Sequence, residues 1–408
     1  MPSVVRYAEV AVPLHVFQTF TYRLSPEQSV EAQVGARVIV PLGRSVVTAY
    51  IVGLSDEPPE NLAEIDIKDA QSLVDSTPVC SAEILQLARW VADYYACPLG
   101  EVIKAALPPG MSPKRRDATF AKPKLRRFVR LLQPSEQKLT EAQRRVITTL
   151  ENSGPMSLQS LLQTASVSAS TIYSLEKKAV LEVYVEAIRR DPLADASGLK
   201  SAEHTLTPAQ SSVLTQIEQQ IDSESYSAFV LHGVTGSGKT EIYMRAIDKT
   251  LQLGRSAMML VPEIALTPVF SRGLRARFGD RVAIFHSSLQ KGERFDEWTR
   301  VKNGDARVVI GTRSAVFAPV KNLGLIVVDE EHESSYRQQE SPYYNARDVA
   351  IVRAQKASAT VVLGSATPSL ESFHNARKGK YTHVSLPERI GARPMATAKI
   401  IDMRTVFA

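Results

Sequence analysis

Cysteine is scarce in this sequence, since Cys80 and Cys97 are the only two among 408 residues. Two cysteines cannot build a disulfide framework or an all-cysteine zinc site within this chain. Long apolar runs are missing as well: no stretch reaches the ~18 residues that a membrane-spanning helix needs, and residues 1–6 lack the pattern of a signal peptide. Repeats and low-complexity tracts are also absent. These absences predict a cytoplasmic protein with no membrane partner.

What the sequence does contain is ordinary for a folded protein. Apolar residues make up 44% and charged residues 23% of the chain, so a substantial core can form. The length predicts roughly two to four domains at ~100–200 residues each. Lys and Arg total 49 against 43 Asp and Glu, a net charge of +6, which mildly favours polyanionic partners such as nucleic acid.

The first hundred residues predict a small β-rich domain, a barrel or a sandwich. Short segments rich in β-branched and aromatic residues are separated by Pro, Gly and Ser. Apolar residues at helical spacing then predict a closing helix over 81–96. We assign this domain to residues 1–108, with strands expected over 4–12, 20–24, 37–41 and 46–53.

Residues 109–138 have the composition of a basic linker. From Lys114 to Arg130 there are eight Lys or Arg and one acid, Asp117. Such a segment can contact phosphates, or its charge can simply keep a connector solvated. The sequence leaves both interpretations open.

Residues 139–190 predict a winged helix. Helices are expected over 140–150, 157–163 and 168–178, and a short hairpin from 180 to 186. The third helix would be the recognition helix, from which four side chains can meet a DNA backbone; a winged helix that binds only protein is the alternative. These side chains are Ser170, Thr171, Tyr173 and Lys177. A second linker is expected over 191–204.

From residue 205 to about 395 apolar runs alternate with amphipathic helices. Runs that are apolar throughout indicate a parallel sheet covered on both faces. The fold class is therefore multidomain α/β, with the parallel α/β domain last. The predicted strands are 228–231, 257–261, 282–285, 308–310, 325–328 and 360–363.

A phosphate-binding loop follows the first of these strands and opens a helix expected over 239–253, as the pattern G-x-x-x-x-G-K-[ST] requires. Its backbone N–H groups and the helix N-terminus favour phosphate. Lys239 would contact the β- and γ-phosphates of ATP, and the Thr240 hydroxyl would ligate Mg²⁺. The loop consists of Gly233, Val234, Thr235, Gly236, Ser237, Gly238, Lys239 and Thr240.

Two carboxylates follow the apolar strand 325–328. They would emerge at the carboxyl end of the sheet, where ligands bind in such folds. Asp329 would hold Mg²⁺, and Glu330 would orient or deprotonate the attacking water. An amide at Gln210, after the turn at Thr207, can donate and accept toward the adenine edge; an ordinary helix start explains the same residues nearly as well.

Further motifs follow the phosphate loop in a fixed order, and the series resembles the first, RecA-like motor lobe of superfamily 2 helicases. The wording "LVPEIALTP", "GTRSAVFAP", "DEEHESSY" and "GSATPSLES" is similar to that of the PriA family of replication-restart helicases. The motifs occupy 260–268, 311–319, 329–336 and 364–372.

The resemblance implies roles for matched positions. The single-strand track would be lined by Pro262, Gly311, Thr312 and Arg313. Hydrolysis would be coupled to movement by His332, Ser365, Ala366 and Thr367. Residues 333–347 resemble the aromatic-rich loop that senses DNA, with stacking faces at Tyr336, Tyr343 and Tyr344 and charges at Arg337 and Arg347. Pro342 and Tyr343 replace the aromatic and basic pair usual in the family.

The N-terminal region resembles the family's module for the 3′ end of a nascent leading strand. The matched positions are Phe20, Thr21, Gly35 and Arg37. Thr21 stands where family members usually carry Asp, which removes an acceptor for a terminal hydroxyl or a base edge.

The resemblance also implies what lies outside these 408 residues. Family members continue into a zinc insertion, a second motor lobe with ATP-site arginines, and a C-terminal domain. Residues 396–408 would begin that second lobe. Zinc is thus expected for the family, although its cysteines are absent from this chain, and we do not expect this polypeptide alone to unwind DNA.

Two functions from different classes follow. The first is the N-terminal portion of an ATP- and Mg²⁺-dependent 3′-to-5′ DNA helicase of the primosome, which recognises stalled forks and D-loops and restarts replication. Its partners would be forked and single-stranded DNA and, by resemblance, primosome and single-strand-binding proteins. We expect a nucleoid-associated monomer. The alternative is a fork-binding and primosome-assembly module that does not unwind DNA.

Overall fold

The computed structural model describes residues 6–60, 66–111, 123–132, 139–192 and 204–392. They form two compact units. The smaller is Ala121–Asp191, and the larger comprises Met1–Phe120 and Pro192–Ala408. Within the described stretches, no helix combines the length and apolar character needed to cross a membrane.

An antiparallel sheet opens the larger unit, as predicted. Its strands are β1 (Tyr7–Ala11), β2 (Phe20–Arg23), β3 (Arg37–Leu42), β4 (Ser45–Ser55) and β5 (Ser72–Leu73), in the order β2-β1-β4-β3-β5. Helix α1 (Pro26–Glu31) follows β2. Alternate residues of β1 and β3 point inward, so that Ala8, Val10, Val38 and Val40 are buried together. The sheet therefore has a hydrophobic core of its own.

Helices α2 (Ala82–Tyr94) and α3 (Leu99–Ala106) follow the sheet. Sequence analysis predicted α2 and missed α3. Both helices share a hydrophobic core with the later parallel sheet. The buried guanidinium of Arg353, for example, donates to Glu83 Oε1 at 3.2 Å and to the Val316 carbonyl at 2.6 Å. The 1–108 region thus combines strands that have their own core with helices that do not.

The smaller unit is a winged helix that begins with a strand. Its elements are β6 (Lys124–Leu131), α4 (Glu141–Ser153), β7 (Met156–Ser157), α5 (Leu158–Thr164), α6 (Ala169–Lys177) and β8 (Leu181–Ile188). The three predicted helices are confirmed. The sheet has the order β7-β6-β8, and β6 and β8 are antiparallel.

Two predictions for this unit are wrong. Residues 124–131, expected within a linker, form β6, and the strand after the third helix pairs with β6 instead of forming a local hairpin. The charges of β6 are matched across the strand pair, since Arg130 Nη2 lies 2.7 Å from Glu182 Oε2. Val129 is buried in the core of this unit. The rest of the expected linker, 112–122 and 133–138, lies outside the described residues.

A seven-stranded parallel sheet dominates the larger unit. Its strands are β9 (Ser227–Gly233), β10 (Ser256–Leu260), β11 (Val282–Phe285), β12 (Val308–Gly311), β13 (Leu323–Asp329), β14 (Thr360–Ser365) and β15 (Thr382–Leu386). The helices are α7 (Pro208–Asp222), α8 (Lys239–Gln252), α9 (Pro268–Phe278), α10 (Lys291–Asn303), α11 (Ala346–Lys356) and α12 (Leu370–Arg377). The six predicted strands are confirmed, and β15 was missed.

The sheet is buried on both faces. Successive residues of β13 alternate between two cores: Leu325 and Val327 belong to one, and Ile326 and Val328 to the other. The strand order is β11-β12-β10-β13-β14-β9-β15. Because β13 and β9 both flank β14, the loops that follow these two strands meet at one edge of the sheet.

Candidate functional site

The loop Gly233–Thr240 connects β9 to α8, as predicted. Gly236 and Gly238 have φ of 83° and 86°, a left-handed conformation that favours glycine. The α8 helix begins at Lys239, whose buried amine donates to the Gly233 carbonyl at 2.8 Å. Among the described residues, the buried Ser237 Oγ has no hydrogen-bond partner. A lysine, an unsatisfied hydroxyl and a helix N-terminus together suit a phosphate group.

The carboxylates at the carboxyl end of β13 face this loop. Lys239 Nζ lies 3.6 Å from Glu330 Oε1, and Glu330 has a positive φ of 44°. Asp329 accepts a hydrogen bond on Oδ1 from the Tyr243 hydroxyl at 3.0 Å. Burial, and then the Glu330 charge, raise the pKa of Asp329. The structure therefore brings Lys239, Asp329 and Glu330 together, and Thr240 lies exposed at the start of α8.

The expected coupling residues also meet. His332 Nδ1 and Ser365 Oγ are 2.7 Å apart, and the Thr367 N–H donates to Ser365 Oγ at 2.9 Å. Ala366 lies between Ser365 and Thr367 in the sequence. The loops after β13 and β14 are thus joined by side-chain hydrogen bonds, and the role of these residues in coupling stays a prediction.

Gln210, in the first turn of α7, contacts the phosphate loop. Its side-chain carbonyl accepts from the Thr207 N–H at 2.9 Å, and its amide donates to the Ser237 carbonyl at 2.8 Å. Both ends of the buried amide are therefore engaged by the protein. This arrangement supports the helix-start interpretation and adds a tether to the phosphate loop, whereas an adenine contact stays a prediction.

Sequence reasoning missed the environment of Glu331, the third acid of the motif. Its buried carboxylate accepts from the Ser369 N–H at 2.6 Å, from the Ser372 hydroxyl at 2.9 Å and from Arg347 Nη1 at 3.2 Å. The Arg347 guanidinium is held inside this network and also pairs with Asp348, and a DNA contact of Arg347 stays a prediction. No local pattern signals the network, since its members come from three segments.

Two of the three expected stacking tyrosines are buried. Tyr336 is 1% exposed and its hydroxyl donates to the Asp329 carbonyl at 2.6 Å. Tyr344 is 3% exposed and packs edge-on against Phe317. Both rings are packed inside the fold, and base stacking by these two tyrosines stays a prediction. Tyr343, by contrast, is 55% exposed.

The expected track residues lie at the carboxyl ends of β10 and β12. Leu260 and Gly311 are register partners there, which brings Pro262 beside Gly311 and Thr312. The Thr312 N–H donates to the Phe285 carbonyl at 3.1 Å, so it is not free for a phosphate. Arg313 is half-exposed and donates to the carbonyls of Ser335 and Arg337 at 3.3 and 3.0 Å; Arg337 itself is exposed.

A cleft of about 950 Å³ lies on the N-terminal sheet. Phe20 and Thr21, both predicted to bind DNA, line it together with Glu9. Glu9 is the register partner of Thr21 across β1 and β2, and its Oε1 accepts from the Thr19 hydroxyl at 2.7 Å. Sequence reasoning missed Glu9, a carboxylate in the same cleft as the threonine.

Gly35 and Arg37 serve the fold instead of this cleft. A side chain at Gly35 would collide with the Cys80 carbonyl, 2.0 Å from an ideal Cβ, and φ there is 89°. Arg37 is 5% exposed and makes a two-pronged ion pair with Asp75, at 2.6 and 2.8 Å. Both residues are buried, and a DNA contact of either stays a prediction.

Zinc has no candidate site in the described part of the chain. No group of three or more His, Cys, Asp or Glu side chains there is arranged to hold a metal ion. Both cysteines are buried and free, and burial raises the pKa of the Cys80 thiol to about 12.

Comparisons with known proteins agree with these features. The 3′DNA-binding domain (3'BD) family of PriA matches residues 9–108, and the DEAD/DEAH box helicase family matches residues 207–376. Replication restart protein PriA of Bacillus subtilis is 33% identical over 466 residues, covering 98% of this chain and 58% of that protein. The Chlamydia pneumoniae protein of the same name is 37% identical over 406 residues, covering 97% of this chain and 53% of that protein.

Replication restart protein PriA of Haemophilus influenzae is 36% identical over 412 residues, covering 98% of this chain and 54% of that protein. The chain thus spans a little over half the length of these relatives. The chain is therefore similar to replication restart protein PriA along 97% or more of its residues, and the similarity includes both domain families.

Proposed function

We propose that this chain is the N-terminal portion of an ATP-dependent 3′-to-5′ DNA helicase that recognises stalled replication forks and D-loops and restarts replication. One observation carries the proposal: Lys239, in the phosphate loop, lies 3.6 Å from Glu330 at the end of β13. A cation for the phosphates and a carboxylate for the attacking water are thereby within reach of one substrate.

The residues divide the work of ATP hydrolysis. Lys239 and the N–H groups of the loop bind the phosphates, and Glu330 accepts the proton of the attacking water. Thr240 and Asp329 would hold Mg²⁺, which neutralises charge on the phosphate oxygens when bound. The unpartnered Ser237 hydroxyl gives the phosphates a further donor.

DNA contacts are assigned to two places in the larger unit. Arg313, half-exposed at the end of β12, contacts the phosphates of a tracked single strand. The cleft with Phe20 and Glu9 takes a free 3′ end, because an aromatic ring can stack on the last base and a carboxylate can accept from the 3′-hydroxyl. Primosome and single-strand-binding proteins are the further partners of this monomer in the nucleoid.

Two measurements on the 408-residue chain test this function. The first is fluorescence anisotropy with a fork that carries a free 3′ end at its junction and with the same fork lacking that end. We expect tighter binding to the first fork. The second is phosphate release from ATP with and without fork DNA, with Glu330→Gln as the background.

The two measurements distinguish the alternatives. Release that the fork stimulates above the Glu330→Gln background supports an ATPase. Fork binding without any ATP binding would instead favour the binding module, since the β-rich domain would then work without a motor.

A further inference from the structure

Two buried tyrosines hold Asp329. Tyr243, on α8, donates its hydroxyl to the side-chain atom Oδ1 at 3.0 Å. Tyr336, in the turn Ser334–Tyr336, donates to the main-chain carbonyl at 2.6 Å. Each tyrosine is 1% exposed. The side chain and the main chain of Asp329 are therefore fixed separately, and Tyr243 alone of the two contacts the carboxylate.

A glycine on the neighbouring strand leaves room for the Tyr243 hydroxyl. Gly364 on β14 is the register partner of Asp329 on β13. A Cβ at Gly364 would lie 1.7 Å from the Tyr243 hydroxyl oxygen and 2.7 Å from its Cζ atom. Any larger residue would push the ring away from Asp329. The contact is thus built into the packing of β14 and is not a chance approach of two side chains.

The position of Tyr243 on α8 adds a second argument. It comes four residues after Lys239, so the two side chains lie on the same face of the helix. One helix face therefore presents the phosphate-binding lysine and the hydroxyl that holds Asp329. A buried tyrosine also needs an acceptor for its hydroxyl, and here the acceptor is the carboxylate of Asp329, the last residue of β13.

We propose that Tyr243 is a positioning residue that orients the Asp329 carboxylate for Mg²⁺. This inference rests on the proposed function, which assigns Mg²⁺ to Asp329 and Thr240. A donor on Oδ1 restricts rotation of the carboxylate, as hydrogen-bond partners of metal ligands do in general. Tyr243 therefore acts through Asp329.

The test is the Mg²⁺ dependence of nucleotide binding by Tyr243→Phe, which removes one oxygen and keeps the ring in the core. A fluorescent ADP analogue reports the affinity at each Mg²⁺ concentration and in EDTA. We expect the half-saturating Mg²⁺ concentration to rise about tenfold, with the affinity in EDTA unchanged. The control is Tyr226→Phe, because half-buried Tyr226 precedes β9 at the opposite edge of the sheet.

Two outcomes would overturn the inference. One is an unchanged Mg²⁺ midpoint in a Tyr243→Phe chain whose thermal unfolding matches that of the wild type. The other is an affinity that falls equally with Mg²⁺ and in EDTA, since that marks a structural effect. The proposed function fails by a different result, a wild-type chain whose nucleotide affinity responds neither to Mg²⁺ nor to Lys239→Ala.

Discussion

The amine of Lys239 and the carboxylate of Glu330 face each other at 3.6 Å, although 91 positions of the sequence separate them. The sheet order explains this approach, because β9 and β13 are the two neighbours of β14. Lys239 is also fixed by the Gly233 carbonyl at 2.8 Å. Contacts within the protein therefore bring the phosphate loop and the acidic motif into one site.

The raised pKa of Asp329 predicts a gain in stability from its neutral analogue. A carboxyl whose pKa is higher in the folded than in the unfolded chain favours folding only while it is protonated, and this contribution is lost as the pH rises through the raised pKa. We expect Asp329→Asn to increase the free energy of unfolding at about pH 7, and the gain to shrink as the pH falls toward the ordinary Asp range.

Urea unfolding of both chains at several pH values checks this expectation. A less stable Asp329→Asn chain at neutral pH would contradict it, because the Tyr243 hydrogen bond and the Lys239 charge would then outweigh the effect of burial.

Arg313 is the test of the single-strand track. We expect Arg313→Ala to weaken binding of single-stranded DNA and to reduce the slope of log affinity against log salt by ~0.7, as for the loss of one phosphate contact. Anisotropy titrations with an oligonucleotide at several salt concentrations measure both quantities.

The matched control is Lys356→Ala. Exposed Lys356 is the last residue of α11 and lies shortly before the start of β14. Its substitution therefore removes one positive charge at the amino ends of the strands, whereas Arg313 lies at their carboxyl ends. An equal loss of affinity in the two variants would show that net charge, and not the position of Arg313, determines binding.

Arg37 distinguishes a structural role from a DNA contact. Removing one partner of a buried ion pair costs about 3–5 kcal/mol, so we expect Arg37→Ala to lower the free energy of unfolding strongly. Arg23→Ala is the control. Arg23 pairs with Asp69, and their side chains are 43% and 75% exposed, so this ion pair should contribute about 0–1 kcal/mol. Denaturant unfolding measures both. Wild-type stability combined with lost DNA affinity in Arg37→Ala would contradict the structural role and favour the DNA contact.

Glu9 is expected to select a free 3′-hydroxyl. A carboxylate accepts a hydrogen bond from a hydroxyl and repels a terminal phosphate, so the wild type should prefer oligonucleotides ending in 3′-OH over 3′-phosphate by about tenfold. Glu9→Gln should reduce this preference, and exposed Glu57→Gln should keep it. A preference unchanged by Glu9→Gln would remove Glu9 from the recognition of the end.

The sequence is sufficient for features that depend on local pattern. The phosphate loop and the acids after β13 are recognisable because a few neighbouring residues create them. The six predicted strands are almost entirely apolar, as is typical of strands buried on both faces. β15 was missed because it is an outermost strand of the sheet, and its residues Thr382, His383 and Ser385 are polar and exposed.

Pairing with distant residues is what the sequence could not predict. Arg37 is neutralised by Asp75, and Arg347 by Glu331, and neither pairing follows from any local pattern. A basic segment similarly forms β6, where Arg130 is paired with Glu182 of the neighbouring strand β8. The charges are evident in the sequence, but their burial and pairing depend on the tertiary fold.

The most direct test of the account is the ATP affinity of the wild type, Lys239→Ala and Lys249→Ala, measured by titration calorimetry. Both lysines lie on α8. Lys249 is near the other end of the helix from the phosphate loop, and its Nζ lies 2.7 Å from Asp222 Oδ1. We expect Lys239→Ala to bind ATP roughly 10- to 100-fold more weakly, from the loss of charged hydrogen bonds to phosphate, and Lys249→Ala to bind like the wild type. Equal ATP affinity in all three chains would contradict the account.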